Sequence, residues 1–287
     1  MARSSESRIP EAAGPMAIMS SRAKTFIGIW NVRTMYETGK SRQIAAEMKK
    51  YKINILGICE SRWTGSGQVK LSTGEQVLYS GHEEEGAPHT QGVALMLSGP
   101  AQRALIGWEA HGPRIITASL RTTKKRVSLD VILCYAPTND AHEEEKLNFY
   151  QQLQIVVQSR SRRNVMLLMG DLNAKIGCDN RGYEEVMGTQ GLGEMNENGD
   201  KFADFCATNR FVIGGSIFQH RRIHKATWRS PDAITENQID HVCINKRFRG
   251  TLQDVRVKRG ADVGSDHQLL VAQVKLKLRK DFFREYR

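Results

Sequence analysis

Residues 165–173 read VMLLMGDLN, and this stretch limits the possible folds of the chain more tightly than any other. Five large apolar residues and a glycine in succession leave no polar face. That is the pattern of a strand covered on both sides, not of one with a wetted face. The run ends at Asp171 and Asn173, so it delivers a carboxylate and an amide where it leaves the interior. Leu172 points the other way by the two-residue period, and Gly170 permits close approach of backbone or ligand. Taken alone, this ending also fits a plain turn that uses Asp and Asn for local hydrogen bonds.

The same device recurs along the chain. Ordered structure is expected from residue 24, where KTFIGIWN runs to Trp30 and Asn31. Gly39 and Ser41 open a helix through Tyr51, with Ser41 as N-cap and Ile44, Ala45, Met48 and Tyr51 on one face. A second buried strand, 53–60, ends in Glu60. From Gln68 to Cys134 the segments EQVLYS, GVALML, RIITASL and RVSLDVILCY are shorter, and Gly and charge clusters separate them. They read as antiparallel strands. Ala136-Pro137-Thr138-Asn139 stops the last of them. A helix is expected over 143–160, with Leu147, Tyr150, Leu153 and Val157 in register. The Gly-rich loop 175–198 follows the opening strand, a position and length that point to function. A helix over 199–209, short strands at 211–213, 239–244 and 255–257, and a closing strand in 265–278 complete the reading. Buried strands with helices in both halves predict an α/β (α+β) fold in which two mixed sheets pack face to face with helices outside. A doubly wound parallel sheet fits less well, because the middle reads antiparallel and no GxGxxG turn is present. Residues 1–23 are expected to be a disordered tail, 24–280 one domain, and 281–287 a basic tail.

Lys and Arg number 42 against 31 acids, a formal net charge of +11. An excess of this size favours a polyanionic partner, nucleic acid first among them. No apolar run approaches a membrane span and no secretory signal is legible at the N-terminus, so a nuclear or cytoplasmic protein without a membrane partner is expected. Five scattered cysteines, none in CxxC spacing, predict neither a disulfide framework nor a zinc site.

The strand endings share a chemistry: Asn31, Glu60, Tyr135, Asp171 with Asn173, Asp240, and the pair Asp266-His267 within GSDH. A donor set of Glu, Asp and Asn is all oxygen and suits a hard cation, Mg²⁺ or Mn²⁺, rather than zinc. A histidine among carboxylates is a candidate acid, base or, if protonated, electrophile. Each residue singly has an ordinary structural explanation, such as Glu60 paired with Arg62 or Arg33 at the surface. Six such endings, each closing an apolar run, are much harder to explain one by one.

In chain order, Trp30-Asn31-Val32-Arg33, Ile58-Cys59-Glu60, Tyr135-Ala136-Pro137, Gly170-Asp171-Leu172-Asn173, Ile239-Asp240 and Gly264-Ser265-Asp266-His267 resemble the motifs of the endonuclease/exonuclease/phosphatase superfamily, over about residues 25 to 278. Within it, the stretches around WNVRTMYETGKSRQIAAEMKK, YAPTND and TWRSPDAITENQIDHVCI resemble the apurinic-endonuclease-like domain of RTE-type non-LTR retrotransposons. The resemblance implies a four-layered αββα sandwich with its site at the mouth between the sheets, and a metal-dependent DNA-nicking hydrolase. It implies that Asn31 and Glu60 hold Mg²⁺ (or Mn²⁺) with Asp266 nearby. Asp171, oriented by Asn173, would aim or deprotonate water, and Tyr135 would hydrogen-bond the phosphate. His267 would contact a phosphate oxygen and be fixed by Asp240.

Two departures bear on substrate. Abasic-site repair relatives carry an acid two residues after the motif Asn, where Arg33 stands here. The stretch before Asp240 reads Asn237-Gln238-Ile239, without the basic residue often seen in repair enzymes, and the WCDRIL-like stretch of phosphoinositide phosphatases is absent at the same place. Double-stranded DNA is the expected partner, with Arg33, Arg62, Trp63, Arg222, Trp228 and Arg229 as candidate contacts, the tryptophans by stacking. Arg221 and Lys225 stand in the same basic run. Two other readings stay open: a catalytically silent chromatin- or protein-binding module, and a phosphomonoester or lipid phosphatase.

Overall fold

The computed structural model describes residues 16–277. Its strands form two large mixed sheets and a ribbon. The first sheet runs in spatial order β14 (Leu252–Lys258), β15 (Leu269–Val274), β1 (Thr25–Asn31), β2 (Ile55–Cys59), β5 (Val93–Leu97), β4 (Gln76–Ser80) and β3 (Ser66–Lys70). The second runs β10 (Phe211–Ile213), β13 (Asp240–Asn245), β9 (Val165–Asp171), β8 (Ser128–Tyr135), β7 (Ile115–Arg121) and β6 (Leu105–Ala110). The ribbon pairs β11 (Trp228–Arg229) with β12 (Glu236–Asn237). β9 is buried along its whole length, as its unbroken apolar run requires. Gly170 is needed in it because a Cβ there would sit 1.9 Å from the Cys134 carbonyl oxygen.

The apolar faces of both sheets meet in the centre, where Ile27, Ile29 and Leu95 pack with Leu133, Leu167, Met169 and Val242. Helix α1 (Lys40–Lys50) covers the outer face of the first sheet through Ile44, Ala45 and Met48. Helices α3 (Glu143–Gln158) and α4 (Glu197–Thr208) cover the second through Phe149, Leu153, Phe202 and Cys206. A fourth helix, α2 (Gly99–Ala104), begins with Pro100 in its first turn. The result is the expected αββα sandwich. Each large side chain buried in it contributes about 1.5–3 kcal/mol. Among the described residues no helix is long and apolar enough to cross a membrane.

Several local expectations are corrected. Ser41 lies inside α1, and the N-cap is Gly39 with φ 85°, a left-handed turn that glycine reaches without a steric cost. Leu147 faces solvent, and Phe149 and Val156 join the expected Leu153 and Val157 in the buried stripe of α3. Ile18 and Met19, read as tail, are buried in the central core; Met19 bridges to Thr122 beside β7. Residues 1–15 and 278–287, which hold most of the first expected tail and all of the second, lie outside the described residues. The edge strands β3 and β6 carry exposed, polar or mixed sequences, so they have no clean two-residue period to read. Helix α4 starts two residues before the expected point because the Asn196 side chain accepts from the Gly199 N–H.

Candidate active site

Strand register does most of the assembly. In the second sheet Tyr135, Asp171 and Asp240 are direct cross-strand neighbours at the ends of β8, β9 and β13. In the first, Asn31 pairs with Cys59, so Glu60 emerges beside it. The turn before β15, opened by Gly264 at φ 66°, swings Asp266 and His267 across the gap between the sheets. Three anchors hold that turn: Ser265 Oγ donates to the Asn31 carbonyl (2.7 Å), Trp30 Nε1 to the His267 carbonyl (2.9 Å), and the Gln268 N–H to the Thr227 carbonyl (2.6 Å).

The polar groups form two connected sets. His267 Nδ1 lies 2.9 Å from Asp240 Oδ2, and its Nε2 is 3.8 Å from Asp171 Oδ2. All three residues are buried. Burial drives the imidazole toward neutrality, but the carboxylates of Asp240 and Asp171 outweigh it and lift His267 to about 9. Burial, and then the Asp240 charge, hold the Asp171 carboxyl above the ordinary carboxylate range. The second set is bridged by Asn31, whose Nδ2 donates to Glu60 Oε1 (2.8 Å) and Asp171 Oδ2 (2.9 Å). Tyr135 hydroxyl donates to the same Glu60 oxygen at 3.1 Å. Burial, reinforced by Glu60 and Asp171, pushes the Tyr135 phenol far above its usual range, so it stays a neutral donor.

Both sets open into a cleft of about 490 Å³ lined by Glu60, Tyr135, Asp171, Asn173, Asp266 and His267, with Arg33, Arg62, Lys175 and Trp228 at its walls. Asn173 orients Asp171 through its backbone N–H, 3.0 Å from Oδ1, while its side-chain amide ties down the Ala136 carbonyl. Arg33, Glu60, Arg62 and Asn173 account for four of the nine non-glycine residues with positive φ among the described residues. Such conformations cost of order 1–3 kcal/mol each and concentrate where function over-determines the backbone.

The donor chemistry fits a hard cation. Asp266 Oδ1 is buried and has no hydrogen-bond partner, while Trp228 Nε1 holds Oδ2 at 3.1 Å. Glu60 Oε2 has no hydrogen-bond partner among the described residues and faces the Arg62 guanidinium at 3.5 Å. These carboxylates are the free oxygens beside the cleft. Asn31 presents its amide nitrogen, its oxygen being taken by the Arg33 N–H at 3.0 Å. Asp171, Asp240 and His267 also bring ligand-type atoms within 4.8 Å of one another. The His267–Asp240 hydrogen bond and the positive charge favoured on His267 make that cluster a poorer place for a cation than the oxygens of Asp266 and Glu60.

All eight residues expected in the catalytic and metal set thus converge. Of the six expected DNA contacts, Arg33, Arg62 and Trp228 line the cleft and three do not. Trp63 packs edge-on to Tyr79 (5.1 Å) against the outer core, because its ring finds apolar cover there. Arg222 turns to Glu236, and Arg229 to the Ala233 carbonyl within its own hairpin. Sequence reading missed Arg114, which stacks over the Tyr135 ring at 5.3 Å and donates to its carbonyl. It also missed Thr227, a buried hydroxyl that accepts from the Ile239 and Asp240 N–H groups. Thr227 sits in the ATW triplet one residue before Trp228, the only local signal for it; Arg114 has none.

Residues 28–267 match the model of the Endonuclease/Exonuclease/phosphatase family. Craniofacial development protein 2 of Tragulus javanicus is 39% identical over 253 residues, covering 88% of this chain and 42% of that protein. Its Bos taurus counterpart is 38% identical over the same length and is covered to 41%. The chain therefore spans about two fifths of the length of these curated relatives. The endonuclease domain of TRAS1, a telomere-specific non-LTR retrotransposon, superposes with a TM-score of 0.60 at 16% identity, over 88% of this chain and 100% of that one. The 3' phosphatase NExo from Neisseria, bound to a product DNA hairpin, gives 0.62 at 17%, with the same coverage.

Proposed function

The chain belongs to the endonuclease/exonuclease/phosphatase family, and from that premise and its cleft we propose that it is a metal-dependent phosphodiesterase that nicks double-stranded DNA. One observation carries the reading: a buried His267, charged by Asp240 and aimed toward Asp171, opens into the same cleft as the free oxygens of Glu60 and Asp266. Glu60 and Asp266 would hold Mg²⁺, with Asn31 contributing if its amide turns over. The cation would supply Lewis-acid stabilisation of charge developing on the phosphate.

The protein groups divide the remaining work. Asp171, fixed by Asn31 and by the Asn173 N–H, aims the attacking water and accepts its proton. Its raised pKa suits that task, since a base works best when its pKa lies near the working pH. The His267 cation meets the negative charge that grows on a non-bridging oxygen, and Asp240 keeps both its orientation and its charge. Tyr135, a neutral donor, adds a hydrogen bond to phosphate once its hydroxyl turns from Glu60 to the substrate. Arg33 and Arg62 on the walls position the flanking backbone. The TRAS1 domain is described as an endonuclease and NExo is bound to a DNA hairpin, which favours DNA over a lipid phosphate. The testing experiment is nicking of supercoiled plasmid with Mg²⁺, with excess EDTA, and by Asp171→Asn. Conversion to open circles only by the wild type with Mg²⁺ is expected. Equal conversion by Asp171→Asn, or turnover of inositol lipids in preference to plasmid, would overturn the reading.

A further inference from the structure

The cleft does not hold the positive charge that the composition advertises. Its two arginines face acids, Arg33 3.9 Å from Asp266 and Arg62 3.5 Å from Glu60; Arg114 beside it pairs with Glu145, and Lys175 adds a single further positive charge at its wall. The unbalanced charge sits at the other end of the second sheet. β8 and β9 run toward the cleft, and β7 and β13 run away from it, so four connections meet at the far pole. These are segments 122–127 (TTKKRV), 159–164 (SRSRRN), 209–210 (NR) and Lys246–Thr251 (KRFRGT). Ten of their 20 residues are Lys or Arg and none is acidic, against a formal net charge of +11 for the whole chain.

Hydrogen bonds place the four segments side by side. The Ser128 N–H donates to Asn164 Oδ1 (3.1 Å), Asn245 Nδ2 to the Asn164 carbonyl (3.0 Å), and the Lys246 N–H to the Arg210 carbonyl (2.7 Å). The basic side chains here are exposed apart from Arg160. Among the described residues only Arg160, held by Glu109, and Lys246, held by Glu185, form ion pairs. With strands about 4.8 Å apart, five adjacent strand ends give a face roughly 20 Å wide, and the seven residues of β9 separate it from the cleft by about 20 Å. A solubility charge would be interspersed with acids. This face is continuous and rich in arginine, whose planar fork suits phosphate, and its four segments contain no Trp or Tyr to stack on bases.

We propose that the pole opposite the cleft is a second, non-catalytic nucleic-acid-binding surface that grips a duplex through its backbone phosphates without reading its sequence. A straight duplex seated in the cleft cannot also reach this face, so the surface would hold a separate segment and raise the local concentration of substrate. The choice of DNA as the duplex rests on the function proposed above; the surface itself does not.

The test compares wild type with Lys124→Gln/Lys125→Gln/Arg126→Gln, Arg162→Gln/Arg163→Gln and the five changes combined. Binding of a short labelled duplex is followed by anisotropy in EDTA across a salt series, and nicking of saturating plasmid is measured separately. The combined variant should melt as wild type does and bind at least about tenfold more weakly near 0.1 M salt. Its log–log salt slope should be shallower by roughly 3 to 4, from about 0.9 for each phosphate no longer neutralised. Nicking turnover should be unchanged. An unaltered slope and affinity would overturn the proposal. So would displacement of the duplex by polyglutamate at equal charge, which would make the partner an acidic protein. If the wild type proves unable to nick, the binding measurements still decide the surface, so the two failures are distinguishable.

Discussion

Replacing His267 by Ala separates charge stabilisation from the rest of the machinery. An imidazole lifted from its ordinary 6.5 to about 9 is favoured as the cation by about 3 kcal/mol in the folded protein. The field of Asp240 and Asp171 that creates this preference also keeps the positive charge in place for the phosphate. Removing one preorganised charge-stabilising donor costs about 10²–10³ in rate. The same arithmetic constrains the control. A group whose folded pKa is raised adds stability that is fully present below pH 6.5 and lost as pH rises through about 9. At neutral pH the Ala variant therefore forfeits up to about 3 kcal/mol, or roughly 10 °C in Tm for a chain of this size. Single-turnover nicking of supercoiled plasmid is best measured well below that lowered midpoint, after circular dichroism has verified the fold. DNA binding is expected to survive, because most phosphate contacts lie outside the site. Asp240→Asn should move in the same direction but less far, since the ring remains while its charge and orientation suffer. A folded His267→Ala protein that nicks at the wild-type rate would refute the reasoning and leave the acidic residues to explain activity alone.

Three further outcomes are expected. Mg²⁺ and Mn²⁺ should restore nicking to chelated protein and Zn²⁺ should do so poorly, since the free donors at the cleft, Asp266 Oδ1 and Glu60 Oε2, are hard oxygens; full activity in excess EDTA contradicts this. Trp228→Phe removes the indole donor that orients Asp266, so the Mg²⁺ concentration giving half-maximal nicking should rise about 10–100-fold, as for other changes that free a metal ligand from its supporting hydrogen bond; an unmoved metal titration counts against the assignment. His241 is buried and its pKa is lowered by burial; Nε2 lies 2.7 Å from the Ala174 carbonyl and Nδ1 has no partner. Burial makes the folded imidazole bind a proton less readily than the unfolded chain, which does so below about 6.5, so stability should fall as pH drops from 6.5 to 5. His241→Gln should flatten that part of the stability–pH curve, and parallel curves for the two proteins would dismiss the argument.

What the chain determines locally is legible in the order of its residues. Unbroken apolar runs set which strands are buried, because burial on both faces tolerates no polar residue, and each run surrenders its polar neighbour at its end. Asn31, Glu60 and Asp171 stand out in that way, whereas Asp240 opens β13 and His267 precedes β15, so the expectation that each closes an apolar run fails for these two. Only the tertiary structure decides which ends meet. Parallel pairing of β8 with β9 and antiparallel pairing of β9 with β13 put Tyr135, Asp171 and Asp240 in one row. Register depends on contacts between residues far apart in sequence, which no local period encodes. The fates of the aromatic and basic residues are decided through space as well. Trp63 and Trp228 both sit in polar, turn-rich sequence, yet one meets Tyr79 and the other Asp266. The net charge of +11 is plain from composition. Its location is not, since an electrostatic field depends on distance in space, and segments more than a hundred residues apart share one face only because five adjacent strands have their ends there.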